Sequence, residues 1–292
     1  MKAALLSDRS VVRIAGEDAR KFLNGLLTAD MSKVAAQAPR FAALLTPQGK
    51  IITDFIVAEI APENGSGFVL DCPRELAPTL LERLRFYRLR AKITIEDASE
   101  ALAVLAIWNG TSLAPADTAG GPDPRLPELG LRLLLPPAQA ARAAGPIEPG
   151  DYETHRIALG VPRGGLDFAY GDAFPHEADV DQLHGIDFDK GCFVGQEVVS
   201  RMEHRGSVRT RVVPVALDGP APAPGSAVTA AGKAVGQMGS AAGGRGLAAL
   251  RLDRVEEALA SGASLACDSV ALRLIKPAWA RFRFPGEPRA TE

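Results

Sequence analysis

Cysteine is scarce in this chain of 292 residues: Cys72, Cys192 and Cys267 stand far apart and form no C-x-x-C pair. That spacing excludes a disulfide framework and a zinc knuckle, and three scattered thiols cannot hold a four-thiolate iron–sulfur cluster unaided. It fits a reducing compartment. An excess of positive charge is also missing. Lys+Arg number 33 against Asp+Glu 35, for a formal net charge of −2, so the dominant basic face of a protein that coats nucleic acid is lacking. No direct, stable nucleic-acid binding is expected. No apolar run is long enough to span a bilayer, and Met1–Leu6 is too short for a signal peptide. These absences predict a soluble cytoplasmic protein with no membrane partner and no resident metal.

The length suits two or three compact units. Acidic residues at Gly16-Glu17-Asp18 favour the start of a helix, and Ala19, Phe22, Leu23, Leu26 and Leu27 give that helix one apolar face. The segments 40–46 and 50–59 flank Pro47-Gln48-Gly49 as a hairpin with Asp54 inside its second strand. A strand at Ser10–Ile14, another at 68–71, a helix over 73–89 and a strand over 92–96 complete an α+β unit, 1–100. A second unit, 101–208, opens with a strand at 102–108. A Pro- and Gly-rich stretch, 109–127, reads as an exposed loop; a strand at 131–135 and helices at 137–144 and 152–159 follow. Beyond Arg209 the texture changes to short strands punctuated by Gly and Pro, which predicts a small antiparallel barrel over 209–285.

The richest chemistry lies in Lys190-Gly191-Cys192-Phe193-Val194-Gly195-Gln196-Glu197. A thiol reacts or ligates as thiolate, which an adjacent ammonium stabilises, and the two glycines permit unusual backbone or close approach to a ligand. The segment reads as a ligand-facing loop. Against this stands a plainer reading, in which Cys192 is a small buried hydrophobe and Lys190 a solvated charge. Of the arginines that follow, Arg201 or Arg205 fits the rim of a pocket, and Arg201, Arg205, Arg209 and Arg211 equally fit a solvated stretch of strand and loop. His176 and His184 lie ahead of the motif, with no third group to orient either as a base for Cys192; with the thiol, they also suit iron.

The run continues through Val198-Val199-Ser200-Arg201-Met202-Glu203-His204-Arg205-Gly206, and as a whole resembles the signature of the YgfZ family, folate-binding relatives of the glycine cleavage T protein. The similarity extends to Phe22-Leu23-Asn24-Gly25, Leu45-Thr46-Pro47-Gln48-Gly49-Lys50, Tyr87-Arg88-Leu89-Arg90-Ala91-Lys92, and Phe174-Pro175-His176-Glu177. It covers most of the chain. The resemblance implies an α+β, glycine cleavage T protein-like fold of ferredoxin-like units, closed by a C-terminal antiparallel β-barrel and arranged around a central pocket. It implies tetrahydrofolate or a derivative as ligand, with Asp54, Tyr152, Phe193, Gln196, Glu197 and Arg201 as the folate-binding set and with Cys192, tuned by Lys190, as the reactive residue. It implies an accessory protein that supports assembly or repair of iron–sulfur clusters in client enzymes, tRNA-modifying ones among them, with those clients or assembly factors as partners. The alternative is a tetrahydrofolate-dependent aminomethyltransferase or demethylase of the T protein type. Ala158 departs from that alternative, since T proteins carry a pterin-binding glutamate there.

Overall fold

The computed structural model describes residues 1–60, 66–110, 118–144, 149–206 and 208–287. The backbone divides into two compact units, Met1–Tyr152 with Leu183–Ser200, and Glu153–Gln182 with Arg201–Glu292. Both are discontinuous in sequence, so the three consecutive spans expected above do not coincide with them.

The first unit is built on two antiparallel sheets. Strands β1 (Lys2–Leu5), β2 (Arg9–Ala15), β3 (Arg40–Leu45), β4 (Ile51–Ile60), β5 (Gly67–Pro73), β6 (Thr94–Asp97), β7 (Ala103–Trp108), β8 (Ala119–Pro122) and β9 (Leu131–Leu135) accompany helices α1 (Ala19–Leu26), α2 (Ala77–Arg88) and α3 (Pro137–Ala144). Five strands pair in the order β3-β4-β5-β2-β6 and four in the order β1-β7-β9-β8. The predicted hairpin, helices and strands of the first hundred residues are all present, and the apolar stripe of α1 is buried through Ala19, Leu23 and Leu26. Two strands escaped the sequence reading. β1 pairs with β7, Lys2 opposite Trp108, which carries the first residues into the second sheet. β8 forms inside the expected 109–127 loop, of which residues 111–117 lie outside the described ones.

One face of the five-stranded sheet packs on α1 and α2 through Val12, Ile14, Phe55, Val57 and Leu70. Alternation along a strand sends Asp54, Ile56 and Asp71 to the opposite face, and the register agrees, with Ile56 opposite Asp71 and Val11 opposite Asp71. That face is covered by the second sheet, since β2 meets β7 and β4 meets β8. β4 is therefore buried on both sides.

The second unit holds a closed barrel of β10 (Thr210–Asp218), β11 (Ala227–Ala230), β12 (Lys233–Ala242), β13 (Arg245–Arg251), β14 (Leu265–Cys267) and β15 (Val270–Leu274), in the order β10-β13-β12-β11-β14-β15. Pairing of β10 with β15 closes it. Its interior is small and aliphatic, with Val213, Val215, Val228, Leu250 and Leu272 all buried, and α6 (Leu252–Ala260) packs on β12 and β13. The boundary between the two units falls within α4 (Pro149–Leu159) and α5 (Gln196–Arg205). Among the described residues no helix is long and apolar enough to cross a membrane.

Candidate functional site

The signature is a loop as far as Gly195 and then a helix, α5. The loop is pinned from both ends of the preceding segment. Thr28 donates to the carbonyl of Gly185 at 2.5 Å, the amide of Asp187 donates to the carbonyl of Thr28 at 2.9 Å, and Lys33 pairs with Asp187 at 2.6 Å. Lys190 supplies the strongest tie. Its ammonium donates to the carbonyls of Asn24, Leu27 and Ala29 at 2.8, 2.6 and 2.8 Å. The last carbonyls of a helix have no partner within it, and a lysine there satisfies them while complementing the negative end of the dipole. Lys190 is thus a cap on α1. Burial pulls its pKa down to about 8, against the opposing pull of Asp30 and Asp187.

This placement gives Lys190 a supporting contact beside the role expected of it. Its three donors are spent on carbonyls, and its other contact is with the ring of Phe193, whose centroid lies 5.2 Å from Nζ. It holds the loop in place. Gly195 makes the turn into α5 at φ +84°, and a Cβ there would sit 2.7 Å from the carbonyl oxygen of Thr46, in the hairpin turn. Gly191 needs no such freedom, as a Cβ would meet nothing within 4 Å. Between these fixed points Cys192 is exposed. Cys72 and Cys267 are buried, and burial, against the pull of Arg9, pushes the Cys72 thiol up to about 12.

Asp54 and Tyr152 lie elsewhere in the same unit, in a buried cluster of charges between the two sheets. Arg9 donates to Asp71 at 2.6 Å, Arg132 approaches Asp71 at 3.6 Å and Asp123 at 3.7 Å, and Arg125 grips Asp123 through Nε at 2.9 Å and Nη2 at 2.7 Å. The Tyr152 hydroxyl accepts from Arg132 at 3.1 Å and Arg125 at 3.4 Å. Asp54 and Tyr152 both act electrostatically on Arg125, and Asp54 also on Arg9. Burial alone raises the Asp123 carboxyl, but the facing Arg125 and Arg132 outweigh it and hold the group below its usual range. Asp71 Oδ2 and Arg132 Nε and Nη1 are buried without a hydrogen-bond partner.

The expected folate-binding residues therefore do not assemble into one slot. Tyr152 is 3% exposed, lies edge-on to Trp108 and carries Arg132 at 5.2 Å from its ring centroid, which leaves no open face for a heterocycle. Phe193 packs under Lys190, and the side-chain carbonyl of Gln196 accepts from the Phe193 amide at 3.3 Å, closing the loop on itself. Glu197 and Arg201 are exposed on α5. Arg211, read as part of a solvated stretch, is instead buried and gripped by Asp181. The sequence reading missed Arg9, Asp71, Asp123, Arg125 and Arg132. Their one signal was a charge inside an apolar strand, as in Leu131-Arg132-Leu133-Leu134-Leu135.

Comparison with known proteins agrees with this architecture. Residues 6–113 match the GCVT N-terminal domain and residues 209–282 match the CAF17 C-terminal beta-barrel domain. A crystal structure of glycine cleavage system aminomethyltransferase T from Bartonella henselae is similar with a TM-score of 0.76 at 16% identity, covering 97% of this chain and 87% of that one. The chain is an α+β protein of the aminomethyltransferase T fold with a C-terminal barrel, as expected. Among curated relatives, the mitochondrial iron-sulfur cluster assembly factor IBA57 of Homo sapiens is 34% identical over 94% of this chain and 84% of its own length. The IBA57 homolog of Mycosarcoma maydis is 36% identical over 74% of this chain and 57% of its own. The chain belongs to the IBA57 family of iron–sulfur cluster assembly factors. It spans little more than half the length of the fungal relatives, such as that of Neurospora crassa at 54%. Two expectations change. The expected family, YgfZ, is approximately right and is refined to the related IBA57 family. The cytoplasmic placement is overturned by relatives whose names are all mitochondrial.

Proposed function

We propose that this protein acts in iron–sulfur cluster assembly, and that Cys192 serves as a thiolate ligand to a cluster in transit, the remaining ligands coming from a partner assembly factor or client. The observation that carries this reading is the contrast among the three thiols. Cys192 stands exposed on a loop anchored at Lys190 and Gly195, whereas Cys72 and Cys267 are buried in the cores. Thiolate sulfur suits iron, and one thiol cannot complete a cluster site, so the partner is part of the chemistry. Family membership supports the process; the names of the relatives describe iron–sulfur assembly factors.

The test is complementation. In a strain lacking the gene, Cys192→Ala is expected to leave melting within about 0.5 kcal/mol of the parent, as an exposed substitution does, and to abolish recovery of an iron–sulfur client's activity. Full recovery by the variant would sink the role given to the thiol. A tetrahydrofolate species as ligand is supported by the likeness to aminomethyltransferase T, and tRNA-thiolating enzymes among the clients by the signature alone. Folate-dependent aminomethyl transfer has the fold in its favour, with Ala158 and the occupied Tyr152 ring against it; methylene transfer from a small amine to tetrahydrofolate by the purified protein would establish it.

A further inference from the structure

The second unit contains a group of side chains that the cluster-assembly reading does not use. His176 is fully buried, and its Nε2 lies 3.1 Å from Oε2 of Glu203, near the C-terminal end of α5. One ligand atom each from His176, Asp181 and Glu203 lie within 4.8 Å of one another. We propose that these three residues form a binding site for one divalent first-row transition ion, of the Mn(II), Fe(II) or Zn(II) kind.

The donor set selects that class. An imidazole with two carboxylates is too nitrogen-rich for a calcium site and has no thiolate to favour copper(I). The surroundings have the form of an outer shell. Arg211 donates from Nη1 and Nη2 to the two oxygens of Asp181 at 2.7 and 2.9 Å, and Gln182 donates to Asp181 Oδ2 at 2.7 Å. Arg211 also donates to the carbonyl of His176 at 2.8 Å. Hydrogen bonds of this kind orient ligating carboxylates and fix the segment that carries a ligating histidine.

A buried, unpartnered oxygen supplies an independent argument. Asp179 adds a third carboxyl group, 3.1 Å from Arg211, so Asp179 and Asp181 share one guanidinium, while Glu203 meets His176. Asp179 is fully buried, and its Oδ2 has no hydrogen-bond partner. A buried carboxyl oxygen without a partner is costly, and a dication held by the neighbouring triad, whose Asp181 shares Arg211 with Asp179, offsets that cost. Glu203 has a side chain 46% exposed and gives the ion a way in from solvent. The opposing account is a purely structural one, a His–Glu hydrogen bond beside an Arg–Asp ion pair.

The experiment uses the full chain carrying Cys192→Ala, so that the exposed thiol cannot bind the probe, stripped of metal with a chelator. Mn(II) is added and the loss of its free-ion paramagnetic resonance signal followed; Zn(II) is titrated calorimetrically. One ion per chain is expected. Glu203→Gln, a change at a half-exposed side chain that leaves the fold intact, should weaken both about tenfold or more, as loss of a ligand does at least as strongly as loss of its support. Glu177→Gln, in the same segment but outside the triad, should not. Absence of saturable uptake of both ions overturns the site, as does uptake that Glu203→Gln leaves unaltered. Because the readout is metal uptake in a chain without Cys192, it is independent of whether that thiol handles clusters.

Discussion

Lys190 precedes the exposed cysteine by two positions, and sequence proximity favoured electrostatic activation of the thiol. The geometry favours mechanical support. Carbonyl oxygens of Asn24 and Leu27 at the end of α1 and of Ala29 just beyond it take its donors, and removing a charged donor from buried acceptors leaves each of them underbonded. Lys190→Met is expected to lower stability by about 2–3 kcal/mol in urea unfolding, with Cys192 alkylated faster as the loop loosens. Were Lys190 instead a tuner of the thiol, the pH profile of alkylation would shift while the unfolding midpoint stayed put. Tyr152 is held in a similar way. Its hydroxyl accepts from two buried arginines, so Tyr152→Phe should cost about 1–3 kcal/mol, and a loss of that size with ligand affinity unchanged would mark it as a residue of the core.

Along the signature, the step from loop to helix decides where Cys192 points. Gly195 combines a positive φ with a close approach to the hairpin turn, while Gly191 has neither constraint. Gly195→Ala should therefore destabilise by about 1–3 kcal/mol, the range for a strained backbone position, and Gly191→Ala should stay within about 0.5 kcal/mol; equal effects would mean that the turn relaxes freely. The sequence showed the glycines but not which of them mattered, since a backbone contact with Thr46 is a long-range event. The same limit explains α5. Among its residues only Val199 is buried, so the 3.6-residue apolar period that revealed α1 was too weak to read. By contrast, the hairpin of β3 and β4 was legible because a turn signal separates two long apolar segments.

At the scale of the whole chain, what could be read was the order of elements, and what could not was which distant segments share a core. Residues 183–200 return to the first unit and β1 crosses into the second sheet, while the cluster of Arg9, Asp71, Asp123, Arg125 and Arg132 gathers charges from both sheets of that unit. A buried network of this kind makes stability depend on pH. The Asp123 carboxyl, raised by burial but lowered further by Arg125 and Arg132, titrates below its usual range in the folded protein. The unfolded chain then binds a proton that the folded one does not, so Asp123 contributes its full stabilisation above about pH 4 and loses it as pH falls through the folded-state value. Asp123→Asn should lower stability near pH 7 by about 3–5 kcal/mol, because it takes the carboxylate partner from buried Arg125, and should flatten the fall in stability below pH 4. Urea midpoints measured from neutral to acid pH test both effects together: a parallel offset at every pH would mean that Asp123 is not the carboxylate that couples this fold to acid.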